Sequence, residues 1–169
     1  MPIAILIGPP GSGKSTVGKA LAKLLGTTFA DTDALIEAKA GKKISDIFVE
    51  DGEPHFRSLE TAVVAEALET EQGVLSLGGG AVMSVDTQSR LIHNPGKVIL
   101  LDVSISQAAP RVGFNKDRPM LMINPRQQWQ ALLEKRLPVY EKLSNFRVST
   151  DSMKPIEVAQ NIADYLEAQ

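Results

Sequence analysis

The chain contains no cysteine, which excludes disulfides and thiolate-bound zinc and fits a reducing compartment. It has no apolar run near the roughly 18 residues that a membrane-spanning helix needs. The apolar stretch at residues 3–7 is too short for the core of a secretory leader and has no basic flank. A soluble, cytoplasmic protein without a membrane partner is expected. Strong charge of one sign is also missing, since 18 basic and 20 acidic residues leave a net charge of −2. No global field therefore recruits nucleic acid, and an anionic small molecule would need a local group of arginines and lysines. The two histidines, His55 and His93, lack metal-ligand spacing. Aromatics are only 5% of residues, and the single tryptophan, Trp129, reads as core rather than as a base-stacking platform.

What is present is concentrated near the start. Gly8-Pro9-Pro10-Gly11-Ser12-Gly13-Lys14-Ser15-Thr16 fits G-x-x-x-x-G-K-[ST], a loop whose backbone N–H groups wrap a polyphosphate. Ile3 to Ile7 before it reads as a short buried strand, and Val17 to Leu25 after it as a helix with Val17, Ala20, Leu21, Leu24 and Leu25 apolar. That is the context a phosphate site requires: glycines for close backbone approach and a helix N-terminus for anion binding. Lys14 would reach the β- and γ-phosphates, and the Ser15 hydroxyl would meet Mg²⁺. A nucleoside triphosphate site is the reading.

The rest of the chain alternates strands with helices. Further strands are expected at residues 29–31, 74–77, 97–101 and 146–148, with helices near 34–40, 44–48, 54–70, 85–93, 104–111, 126–143 and 155–166. Pro138 should kink or split the long helix that contains it. Residues 113–125, with two prolines and mixed charge, read as a mobile loop or lid. No repeat or linker is evident. The pattern predicts one α/β domain with a mainly parallel sheet between two helical layers.

In such sheets ligands bind beyond the carboxyl ends of the strands. The second strand ends in Asp31-Thr32-Asp33. Asp31 would stand near Mg²⁺ through water, and Asp33 would face an acceptor and take or orient its hydroxyl proton; Asp is equally a favoured helix N-cap. The magnesium-side strand has two candidates: Val98 to Asp102, which ends in a carboxylate, and Val74 to Gly80, which ends in three glycines. Pattern alone leaves both open. Arg57, Arg111, Arg118 and Arg136 offer forked donors suited to phosphate and carboxylate.

Taken together these motifs resemble shikimate kinases. Gly8 to Thr16, Asp31-Thr32-Asp33, Phe56-Arg57-Ser58-Leu59-Glu60, Gly78-Gly79-Gly80-Ala81, Arg118-Pro119 and Arg136-Leu137-Pro138-Val139-Tyr140 occur in the family's order over nearly the whole chain. The resemblance implies one three-layer αβα kinase domain of the nucleoside monophosphate kinase type. Its five-stranded parallel sheet would have the order 2-3-1-4-5, with an acceptor-binding region near residues 33–60 and a lid near 113–124. It implies ATP-dependent phosphorylation of the 3-hydroxyl of shikimate, in aromatic amino-acid biosynthesis, by a monomer using Mg²⁺. Asp33, Arg57, Gly79, Gly80 and Arg136 would contact shikimate, with Phe48, Phe56 and Glu60 walling or bracing its pocket and Ile44 beside them. Gly11, Ser12, Gly13, Lys14, Ser15, Thr16, Arg111, Arg118 and Pro155 would contact ATP. Lys14, Asp33 and Arg118 would be catalytic, and Ser15 with Asp31 would serve the metal. The family's counterpart of the magnesium-side strand is Val74 to Gly80, with Ser76 in place of an acidic residue, which tells against Asp102. One departure stands before Pro155: Ser152-Met153-Lys154 replaces the arginine that some members carry. Rival expectations are a gluconate or nucleoside monophosphate kinase, or a nucleotide-binding switch without an acceptor.

Overall fold

A computed structural model describes residues 1–112 and 124–169 of the chain. The elements run β1 (Pro2–Ile7), α1 (Lys14–Leu24), β2 (Phe29–Asp31), α2 (Thr32–Ala40), α3 (Ile44–Asp51), α4 (Glu53–Thr70) and β3 (Gly73–Ser76). A single 3₁₀ turn (Ala81–Met83) leads to α5 (Val85–His93), β4 (Lys97–Asp102), α6 (Ile105–Val112), α7 (Pro125–Leu143), β5 (Phe146–Ser149) and α8 (Pro155–Glu167). The five strands are all parallel, in the order β2-β3-β1-β4-β5. This is the fold and the strand order that the family resemblance implied.

The layering follows from strand alternation. Successive side chains point to opposite faces, and a parallel sheet covered on both sides needs apolar residues at every position. Ile5, Ile7, Leu75, Val98 and Leu100 face one way, against Val64 and Leu68 of α4, Leu91 of α5 and Tyr140 of α7. Ala4, Leu6, Val74, Ile99 and Leu101 face the other, against Val17 and Leu21 of α1 and Val158 and Ile162 of α8. The central strand β1 is sealed from solvent at Ala4 to Ile7. Its carboxyl end therefore delivers the glycine-rich loop between β3 and β4 on a rigid base.

Three expectations need correction. Leu24 is 42% exposed, because the inward stripe of α1 is Val17, Gly18, Leu21 and Ala22, and the helix ends at Leu24 itself. Helix α7 runs through Pro138, so the proline does not split it. The proline and Glu134, whose carbonyl loses an amide partner, both lie on the exposed face, where water can replace that hydrogen bond. Ala81–Met83 forms a 3₁₀ turn where no element was expected, with Ala81 N–H donating to Gly78 O and Met83 N–H to Gly80 O. The expected lid lies outside the described residues except for Asn124, and so does Arg118. No described helix is long and apolar enough to cross a membrane.

Candidate active site

The loop between β1 and α1 enters its helix through Gly13, at φ 86° and ψ 20°. Only glycine adopts that left-handed conformation without strain, and it turns the first amides of α1 toward the loop's hollow. Ser12 is fully buried, its N–H donating to Pro9 O at 3.2 Å. Lys14 lies across the loop, with Nζ donating to the carbonyls of Gly8 (2.8 Å) and Pro9 (3.0 Å). A cavity of about 280 Å³ opens here, lined by Gly11, Gly13, Lys14, Ser15, Thr16 and Arg111 on one side. Asp31, Asp33 and Ser76 to Gly79 line the other. Loop, acidic pair and glycine triplet thus meet at the carboxyl ends of β1, β2 and β3.

Asp31 caps the helix and also faces the phosphate loop. Its Oδ1 accepts from the Asp33 N–H at 3.0 Å and caps α2, while its Oδ2 accepts from the Ser15 hydroxyl at 2.5 Å. Thr32, fully buried between the two aspartates, accepts from the Gly78 N–H at 3.1 Å and ties α2 to the triplet. Asp102 faces elsewhere. Its Oδ2 takes two donors from Arg147, at 2.7 and 3.2 Å, and it is absent from the cavity lining. Of the two candidate strands, the segment after β3 is the one that lines the cavity beside the loop.

Beyond the triplet the charge changes sign. A Cβ on Gly80 would stand 2.5 Å from Arg57 Nη1 and 2.9 Å from Arg136 Nη2, so both guanidinium groups press on this backbone. Arg57 comes from α4 and Arg136 from α7, and Arg136 is 6% exposed. Arg57 Nη1 donates to Glu60 Oε1 at 2.8 Å. Glu60 is 3% exposed; burial pushes its carboxyl above the usual range, and Arg57 pulls it back. Glu60 Oε2 and Asp33 Oδ1 both stand within about 3 Å of where a Cβ on Gly78 would lie. Phe48 and Phe56 pack at 4.6 Å between ring centroids, with Arg57 over the Phe56 ring. Arg57 thus joins Gly80, Glu60 and the Phe56 ring, with Arg136 beside it, next to the cavity at the phosphate loop.

The remaining predicted residues sit at the edges. Arg111 Nη1 reaches the Gly11 carbonyl at 3.2 Å and the Thr150 hydroxyl at 3.4 Å, joining the loop to the segment after β5. Pro155 opens α8 beyond that segment and does not line the cavity. His93 Nδ1 meets Ser89 O on the surface, and His55 is exposed.

Comparison with known proteins places the chain in a family. A family model described as shikimate kinase matches residues 10–167. The chain belongs to the shikimate kinase family. A shikimate kinase of Thermobifida fusca is 52% identical over 99% of this chain and 96% of its own length. One of Salinispora tropica is 49% identical over 98% of each. Among solved structures, a shikimate kinase from Acinetobacter baumannii in complex with shikimate superposes with a TM-score of 0.94 at 36% identity, covering 98% of this chain and 92% of that one. A gluconokinase from Sinorhizobium meliloti (TM-score 0.61, 22% identity) shares the fold alone.

Two contacts of this shikimate kinase family member escape sequence reasoning. Trp129 is core, at 4% exposure, but its Nε1–H also donates to Pro10 O at 2.7 Å. The Tyr140 hydroxyl donates to Gly79 O at 2.5 Å. The available signal was spacing: residues 129, 136 and 140 fall on one stripe of a helix.

Proposed function

We propose that this protein transfers the γ-phosphoryl group of ATP to the 3-hydroxyl of shikimate, giving ADP and shikimate 3-phosphate. Membership of the shikimate kinase family supports the reaction. The observation that carries the acceptor is the pair Arg57 and Arg136 converging on Gly80 while Asp33 reaches the other end of the triplet. An anionic ring fits such a basin: carboxylate on the paired forks, apolar ring face near Phe48 and Phe56, hydroxyls toward Asp33.

Phosphoryl transfer asks mainly for positioning and charge neutralisation. The loop amides cradle the phosphates, and Lys14 exchanges its carbonyl partners for phosphate oxygens. Asp33 orients the acceptor hydroxyl toward the γ-phosphorus and takes its proton as the new P–O bond forms. Arg57 and Arg136 fix the far end of the ring, so that the hydroxyl has one approach to that phosphorus. Arg118 is assigned to the ATP phosphates by its Arg-Pro motif alone.

The residues present suit Mg²⁺. Ser15 and Asp31 supply hard oxygen donors at the cavity wall. Among the described residues no cluster of three or more acidic or histidine side chains gathers for a metal. An ion there would keep most of its water and bind phosphate oxygens, which is Mg²⁺ behaviour. When bound it neutralises charge on the transferring phosphoryl group.

The test is ADP release from ATP with Mg²⁺ in the presence of shikimate, quinate, gluconate or AMP. Shikimate should be preferred by orders of magnitude. Preference for gluconate or AMP would reassign the acceptor, and ADP release indifferent to all four would indicate a switch module.

A further inference from the structure

The contacts of helix α7 reach past the acceptor basin to the nucleotide loop. Trp129 Nε1 donates to the carbonyl of Pro10, 119 positions away in the chain. The Pro10 ring in turn abuts the triplet, its Cδ standing 3.2 Å from where a Cβ on Gly79 would lie. Three turns along the same stripe, Tyr140 takes the Gly79 carbonyl. One helix thus grips both walls of the site by main-chain carbonyls, and the walls touch each other between the two grips.

The indole bond has the marks of a positioning contact. Trp129 is buried against Val103, Ala108 and Val112, so its ring has no freedom to follow a moving loop. Pro10 has no N–H and a fixed φ, so holding its carbonyl fixes the peptide plane that leads into Gly11. Gly11 sits at φ 80° with its carbonyl taken by Arg111. Gly11 itself, then Gly13 to Thr16, line the cavity.

We propose that Trp129 is a positioning residue for the nucleotide: through Pro10 it holds the phosphate loop in its ATP-binding shape. This rests on the reading that ATP occupies that loop. The buried N–H is matched to one carbonyl, so phenylalanine removes the bond while keeping an aromatic ring in the same core.

The experiment compares Trp129→Phe with the wild type by calorimetric titration with ATP–Mg²⁺ and, separately, with shikimate. ATP binding should weaken roughly three- to tenfold, the worth of one hydrogen bond, and shikimate binding should stay within about twofold. A variant that binds ATP within about twofold of wild type overturns the proposal, as does equal weakening of both ligands, which marks a merely structural role. Trp129 is the single tryptophan, so a tryptophan analogue supplied during expression enters at this position alone. If the variant does not fold, protein carrying the benzothienyl analogue, which keeps the shape of the indole and lacks its N–H, decides by the same thresholds: selective loss of ATP affinity supports the assignment, and unchanged or equally weakened affinities overturn it. Wild-type protein that binds no ATP would instead sink the nucleotide reading itself.

Discussion

Asp31 and Ser15 share one short hydrogen bond, 2.5 Å from hydroxyl to Oδ2, while the other oxygen of Asp31 caps α2. The same carboxylate therefore sets the start of a helix and faces the phosphate loop. Asp31→Asn separates the two roles. Asparagine is as good an N-cap as aspartate, so the melting temperature should change by only a few degrees. The lost charge should raise the Mg²⁺ concentration for half-maximal activity by roughly ten- to hundredfold, the usual cost of altering a group that orients a metal's ligands. A magnesium titration at fixed ATP measures this, and an unchanged midpoint removes Asp31 from the metal's surroundings.

Asp33, two residues on in the first turn of α2, is assigned a different task in the proposed reaction. Asp33→Asn keeps the size of the side chain and its place in the first turn of α2, but an amide cannot take the acceptor's proton. Turnover should fall by about 10²–10⁴-fold, the range general-base catalysis supplies, with ATP affinity unchanged. Rapid-quench and equilibrium binding measurements separate the two quantities. Near-normal turnover would leave Asp33 with a binding role only.

Gly80 offers a test of the arginine pair that leaves both arginines in place. Its backbone, at φ −95° and ψ −6°, accepts any residue, so Gly80→Ala introduces no backbone strain. The new methyl group would meet Arg57 Nη1 at 2.5 Å and Arg136 Nη2 at 2.9 Å, and the ends of these long side chains must move. Folding stability should fall by no more than about 1 kcal/mol. The shikimate KM should rise roughly ten- to hundredfold, as misplacing positioning groups by about 1 Å does, with the ATP KM unmoved. A normal shikimate KM would show that the forks do not hold the acceptor.

These contacts differ in how far sequence exposes them. The Asp31-Thr32-Asp33 segment is legible in part: its cap is local, while its bonds to Ser15 and Gly78 span 16 and 46 positions. The loop at residues 8–16 is legible because strand, turn and helix follow one another in sequence. Strand alternation is legible for the same reason, and it yields the three layers. Asp102 misleads because an apolar strand ending in a carboxylate says nothing about where that carboxylate points, and Arg147 claims it. Leu24 misleads because its helix ends there and leaves it outside the buried stripe. Trp129 and Tyr140 are illegible in a different way. Their partners are main-chain carbonyls 119 and 61 positions away, and a carbonyl carries no residue identity to read.

Tyr140 carries the last prediction. It is fully buried, and burial pushes its hydroxyl up to about 12 against the opposing pull of Arg136. The neutral form also donates the bond to Gly79 O. An acid whose folded pKa is raised binds its proton more tightly in the folded state, so its contribution to stability is complete below the unfolded value near 10 and is lost as pH rises toward 12. Two pKa units correspond to roughly 2–3 kcal/mol. Tyr140→Phe cannot titrate. At pH 8 it should be less stable than wild type by about 1–2 kcal/mol, from the lost hydrogen bond and the carbonyl left behind. Between pH 10 and 11.5 the gap should narrow steadily, because only the wild type loses this contribution. Urea unfolding of both proteins across that range isolates the effect, since every other titrating group is common to the pair. Parallel stability curves would mean that the hydroxyl titrates as it does in the unfolded chain, and that its grip on Gly79 is weak.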